Sequence, residues 1–231
     1  SLRPPIATYW FDERGVVQRM PAHSPLMFEV YKHPDARQSY VIGSDISSGG
    51  TEGDWTTAHV LHQASGLIVC KVRVKIDPYE WGKNLAFLGR WYNNAWINWE
   101  MNHEGAAVLN GLRVMRYAKL LRRESFAGKI DGVLNQWGFQ TSGNSKHSII
   151  HRLQAELADG HILCHDKETF NELRNFGYIR KDPGNSRYRG MAAMSGHDDL
   201  VMSLAITCYT AGRVKDTYRP EVEKNFGDML E

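Results

Sequence analysis

Apolar residues alternate or cluster in short runs through the first third of the chain and then take up helical spacing. LMFEVYKH (26–33) and YVIGSD (40–45) are β-like runs separated by PDARQS, whose turn chemistry predicts that the first pairs with the second. TTAHVLHQ (56–63) and GLIVCKVRVKI (66–76) follow, joined by a short turn, and extend the pattern into an antiparallel meander. Asp77 and Pro78 then open a segment with Trp81, Leu85, Leu88 and Trp91 at three- to four-residue spacing, which predicts a crossover helix. AWINWE (95–100) reads as one more strand, HEGAAVLNGLR (103–113) as a short helix, and residues 117–142 as irregular or hairpin structure. A helix follows Asn144, the expected N-cap, carries Ile149, Ile150, Leu153 and Leu157 on one face and stops at Gly160. HILCH (161–165) is a short strand, DKETFNELRNF (166–176) a helix with an Asp cap, and GYIRKDPGNSRYRG (177–190) a hairpin around Pro-Gly. The last helix begins at Asp198–Asp199, with Leu200, Val201, Leu204, Ala205 and Cys208 on one face.

This order predicts an α/β domain with a mixed central sheet, its first three strands antiparallel, flanked by helices. Residues 1–25, rich in Pro at the start, read as a linker and residues 26–231 as the folded domain. The chain starts with Ser rather than Met, so a fragment of a longer polypeptide is expected.

Composition narrows the function classes only slightly. With 231 residues, 42% of them hydrophobic, the chain is long enough for a substantial core, and disorder is excluded. A formal charge of +2 is too small to announce a nucleic-acid ligand. Three widely separated cysteines (70, 164, 208) give neither a disulfide framework nor a paired-Cys zinc site. His161, Cys164 and His165 lack a second ligand pair at zinc spacing and are read as strand plus turn. No apolar run or leader points to a membrane or to secretion.

The acids carry more information. Asp45 and Glu100 each end an apolar strand, and Asp198 and Asp199 open a helix. If the two strands are sheet neighbours, their C-terminal ends meet at one edge, where α/β proteins commonly bind ligands. Carboxylates gathered there repel unless protons or cations neutralise them, and oxygen-only donors select hard ions such as Mg²⁺ or Mn²⁺. Two such ions can drive phosphodiester hydrolysis without a side-chain nucleophile. The glycines after Asp45 would let a bulky phosphate backbone approach. Each acid has an ordinary alternative: Asp45 as a turn residue, Glu100 as a salt-bridge partner, Asp198 as a helix cap, Asp54 as a solvated loop acid. His197 reads as a surface histidine or a donor to the pair.

Taken together, YVIGSDISSGGTEGDWTT, YNNAWINWEMNHEG, WGFQTSGNSKHSII and GHDDLVMSLAI resemble the nuclease domain of viral large terminase subunits, the motors that package bacteriophage genomes. The resemblance covers residues 26 to 212 and implies a ribonuclease H-like, RuvC-like fold that cuts concatemeric double-stranded DNA with two divalent metals. It places the catalytic, metal-binding acids at Asp45, Glu100, Asp198 and Asp199, with Asp54 as an accessory ligand. Projected at 100° per residue, Asp198 lies nearer the apolar stripe, so Asp198 is expected as the inner ligand of its pair. The same resemblance implies an upstream ATPase domain, a portal protein and a small terminase subunit as partners, in the host cytoplasm. WGKN and AGKI lack the features of a phosphate-binding loop, so this chain is not the motor. A junction resolvase or ribonuclease H would share the acids, and a non-catalytic module docking DNA or portal is the alternative of a different class.

Arg113, Arg116, Lys119, Arg122 and Arg123 lie within eleven residues with no acid among them, and are expected to contact DNA phosphates beside the metals. Lys146 could reach a phosphate from a helix start. Arg180, Lys181, Arg187 and Arg189, around the second hairpin, form a weaker set. No recognition helix or zinc finger is visible, so weak sequence preference and strong salt sensitivity are expected.

Overall fold

The computed structural model describes residues 1–19, 27–48, 55–123, 137–180 and 189–214. Its strands are β1 (Ala7–Phe11), β2 (Val17–Arg19), β3 (Phe28–Val30), β4 (Tyr40–Asp45), β5 (Thr56–His62), β6 (Leu67–Val74), β7 (Trp96–Trp99), β8 (Phe176–Arg180) and β9 (Arg189–Ala193). The first seven form one sheet in the order β2-β1-β3-β6-β5-β4-β7, and β8 and β9 form a separate hairpin. All neighbours in the large sheet are antiparallel except β4 and β7, which run parallel. That pairing needs a crossover, supplied by α1 (Pro78–Trp91), whose start is capped by Asp77 accepting from the Tyr79 and Glu80 amides.

Both faces of the central strands are covered, which is why β4 and β5 read as nearly continuous buried runs. On one face Tyr40, Ile42 and Val60 pack with Trp81, Leu85 and Leu88 of α1 and with Leu109 and Leu112 of α2 (Gly105–Val114). On the other, Val41 and Leu61 pack with Ile149, Ile150 and Leu153 of α3 (Gly143–Ala158) and with Val201, Leu204, Ala205 and Cys208 of α5 (Asp199–Arg213). α4 (Lys167–Asn175) lies against α5 on this second side, where its N-cap Asp166 pairs with the buried Lys71 of β6. Among the described residues no helix is long and apolar enough to cross a membrane.

Several expectations change. The supposed linker contributes β1 and β2, because Tyr9 and Phe11 stack on Phe28 and meet Trp91 edge-on and so have apolar surface to bury. The run at 26–33 does not pair with 40–45. Both edges of β4 are taken, by β5 and β7, so β3 uses the open edge of β6. The cap of α3 is Ser142 rather than Asn144, since Ser142 and Ser145 exchange hydrogen bonds in a capping box. HILCH makes a single bridge, Leu67 with Leu163, rather than a strand. Within 117–142, Leu120 bridges Ile97, Phe139 bridges Glu100 and Arg122 pairs with Trp137 in antiparallel sense, so the described ends form an open hairpin alongside β7. Gly66 ends the β5–β6 turn with φ +66.

His59 of β5 ties this second layer to the sheet. Its Nδ1 lies 2.9 Å from the Ser203 hydroxyl of α5 and its Nε2 3.0 Å from the Thr169 hydroxyl of α4. Burial, opposed by Asp166 and aided by Lys71, pushes its pKa down to about 3. The unfolded chain, with an ordinary histidine near 6.5, therefore binds a proton that the folded chain refuses between about 6.5 and 3, and this group withdraws stability as pH falls through that window. His59→Gln is expected to be less stable than the parent at pH 7 and to lose less on going to pH 5, as read from urea denaturation at the two pH values.

Candidate active site

Parallel pairing of β4 with β7 sets Ser44 opposite Trp99, and the Glu100 amide donates to the Ser44 carbonyl at 2.9 Å. The next residues in register are Asp45 and Glu100, so the two carboxylates leave the sheet at one edge. They project towards α5, since Gly43, two residues back on β4, faces Thr207 of that helix. Asp45 is pushed well above the usual carboxylate range by burial, then by neighbouring Glu100, then by the charges of Asp199 and Asp198. Asp45 thus lies within the field of the other three acids named from the strand end and the helix; Asp54 lies outside the described residues.

The two helix acids exchange the places expected of them. Asp199 is buried, 5% exposed, and its Oδ2 accepts from the Trp55 amide at 3.0 Å, with His197 Nδ1 3.6 Å away. Asp198 is more open and its Oδ2 accepts from Lys146 Nζ at 2.9 Å, at the start of α3. The helical projection failed because α5 begins at Asp199. Asp198 has φ −125 and ψ 13, outside the helical repeat, so 100° per residue does not apply to it.

Nor does Asp198 cap the helix, as its side chain makes no capping hydrogen bond. Glu172 of α4 does so, with Oε2 accepting from the Leu200 amide at 2.8 Å. Burial raises the Glu172 pKa to about 7. Glu172 was not singled out in the sequence, and a cap reaching in from another helix leaves no local pattern to find. Asn98 was missed too. It is fully buried two residues before Glu100 on the same face of β7, and neither polar atom of its amide has a hydrogen-bond partner.

The basic run is divided by the fold. The stretch after Leu120 runs parallel to β7, so Arg122 and Arg123 travel towards the acid edge. Arg122 lies 4.8 Å from the Trp137 ring centroid, and Arg123 donates to Gln140. α2 instead leads away from Glu100, and over its 10 residues it rises about 15 Å. Arg113, Arg116 and Lys119 therefore sit towards the opposite end of the sheet, not beside the acids. Lys146 touches the acid cluster directly. Lys181 and Arg187 lie outside the described residues.

The acids at this edge offer oxygen donors only, the chemistry that suits a hard divalent cation. Among the described residues no three His, Cys, Asp or Glu side chains are grouped closely enough to hold a metal ion, so sharing one requires the acids to draw together.

The chain is similar to known proteins along most of its length. No protein-family model matches the chain. It is 29% identical over 203 residues to the large terminase subunit of Thermus virus P23-45, an alignment taking in 85% of this chain and 36% of that protein. The large terminase subunit of Thermus phage G20c aligns equally well. The chain thus spans little more than a third of the relatives it matches. Its fold superposes on the crystal structure of the G20c large terminase nuclease with bound magnesium at a TM-score of 0.64 and 25% identity, covering 82% of this chain and 89% of that one. The nuclease domain of the Thermus phage P74-26 large terminase gives a TM-score of 0.62 at 25% identity over 86% and 92%. The resemblance to terminase nuclease domains and the ribonuclease H-like mixed sheet are both borne out.

Proposed function

We propose that the chain is the metal-dependent endonuclease domain of a viral DNA-packaging large terminase, cutting concatemeric double-stranded DNA by two-metal phosphodiester hydrolysis. The observation that carries this reading is the parallel β4–β7 register, which sets Asp45 and Glu100 side by side beneath Asp199. A solved neighbour named as a terminase nuclease with bound magnesium supports it. In the longer protein the domain follows an ATPase domain and works with portal and small subunit in the host cytoplasm.

Divalent ions at such a site would activate a water and stabilise the departing oxygen. The chain's part is placement. Asp45 and Glu100 are positioned by the sheet, and the Trp55 amide holds the Asp199 carboxylate. Lys146, Arg122 and Arg123 supply positive charge around the acids for phosphate binding.

Incubating plasmid with the purified chain tests the reading. Cutting is expected in Mg²⁺ and in Mn²⁺ and none in EDTA; undiminished cutting in EDTA overturns it. Within the helix pair the burial order favours Asp199 as the inner ligand. Asp199→Asn is expected to lower the rate by about 10²-fold or more and Asp198→Asn by roughly tenfold. Initial nicking rates decide, and a larger loss at 198 refutes the assignment.

A further inference from the structure

At the same edge as the acids lies a cationic group that the basic run at 113–123 does not include. Register across three strands puts Asp45 opposite Thr57 and Thr57 opposite Arg73, so Arg73 is two strands, roughly 10 Å, from Asp45. Lys75 follows two residues later on the same side of the chain. The two cations converge on one aromatic ring: the Arg73 guanidinium carbon and Lys75 Nζ each lie 5.0 Å from the Trp55 ring centroid. That tryptophan is the residue whose amide holds Asp199. Arg73 also approaches Glu172, the cap of α5, at 3.6 Å.

Two like charges drawn to one ring repel each other, and so near four carboxylates the simpler outcome would be for them to neutralise the acids. The face of the Trp55 ring attracts both and keeps them at the rim of the acid cluster. The result is a sharp boundary between negative and positive potential. A chain of phosphates running past a cation-loaded acid site fits that boundary.

We propose that Trp55, Arg73 and Lys75 form a phosphate clamp for the DNA strand, a few nucleotides from the scissile position. Trp55 is a positioning residue that presents the two cations. The inference rests on the nuclease reading above and names a contact that reading lacks.

The test measures binding of a linear duplex oligonucleotide to the 231-residue chain carrying Asp45→Asn, in Mg²⁺ across a salt series. Adding Lys75→Ala should weaken binding roughly fivefold at about 0.1 M salt and reduce the slope of log K against log salt by about one; Lys75→Arg should restore both. Trp55→Ala should weaken binding although it removes no charge, which a simple charge count would not produce, and Trp55→Phe should recover most of the loss. Equal affinity and slope for Lys75→Ala and its parent overturn the clamp, whatever Trp55→Ala does to folding. A cleavage assay separates the two ideas. If otherwise native chain cuts, Asp45→Asn does not, and Lys75→Ala binds as its parent does, only the clamp fails. If Asp45→Asn cuts as fast as native chain, the nuclease reading itself fails.

Discussion

Asp45→Asn is expected to nick plasmid at least about 10²-fold more slowly than the parent in Mg²⁺, yet to melt about 2–4 °C higher in EDTA. The two effects have one source. Asp45 is half-buried beside Glu100 within the field of Asp199 and Asp198, and its carboxyl is driven well above the usual range. Such a cluster opposes folding while its charges are not balanced, and an amide of equal size relieves it. The same amide is a poor ligand for a hard cation, so relief of strain and loss of chemistry go together. Glu100→Gln should behave alike. Nicking assays and thermal melts of both variants provide the check. A variant that is both inactive and less stable would mean that Asp45 is a structural residue, with its lost activity a consequence of misfolding.

Gly43→Ala is expected to destabilise the chain by about 3 kcal/mol and to depress nicking even where the fold survives. A Cβ at this position would stand 2.3 Å from the Thr207 amide nitrogen and 2.7 Å from its Cα. Both are backbone atoms of α5, so no rotamer change can admit the methyl group. The helix must move off β4, and it carries Asp199 in its first turn with Asp198 just before it. Gly143→Ala is the control. A Cβ there meets nothing within 4 Å, in the first turn of α3, and the change should be neutral or stabilising by up to about 1 kcal/mol. Denaturant titration of the two variants measures the contrast, and equal stabilities would show that α5 does not bear on β4 as closely as the structure has it.

What could be read from the sequence follows from how local each signal is. Asp45 and Glu100 stand out because each ends an apolar strand, and a strand end is visible in a few residues. The capping residue Asp77 and the helices starting after it and after Asp166 were equally local. The partner of β3 was not, because that choice depends on which sheet edges remain open once the whole fold has formed. Trp55, Arg73 and Lys75 are unremarkable one by one and meet only through the β5–β6 register. The Asp198/Asp199 order was missed by a single residue. Helical phase was projected through a position that belongs to the preceding turn, and one residue of error is enough to exchange an inner and an outer side chain.

The account depends on carboxylates distant in sequence sharing bound ions at the end of β4 and β7. Anomalous scattering from crystals of the chain grown with Mn²⁺ tests this most directly. Peaks between Asp45, Glu100 and Asp199 are the predicted result; manganese bound only elsewhere would contradict it.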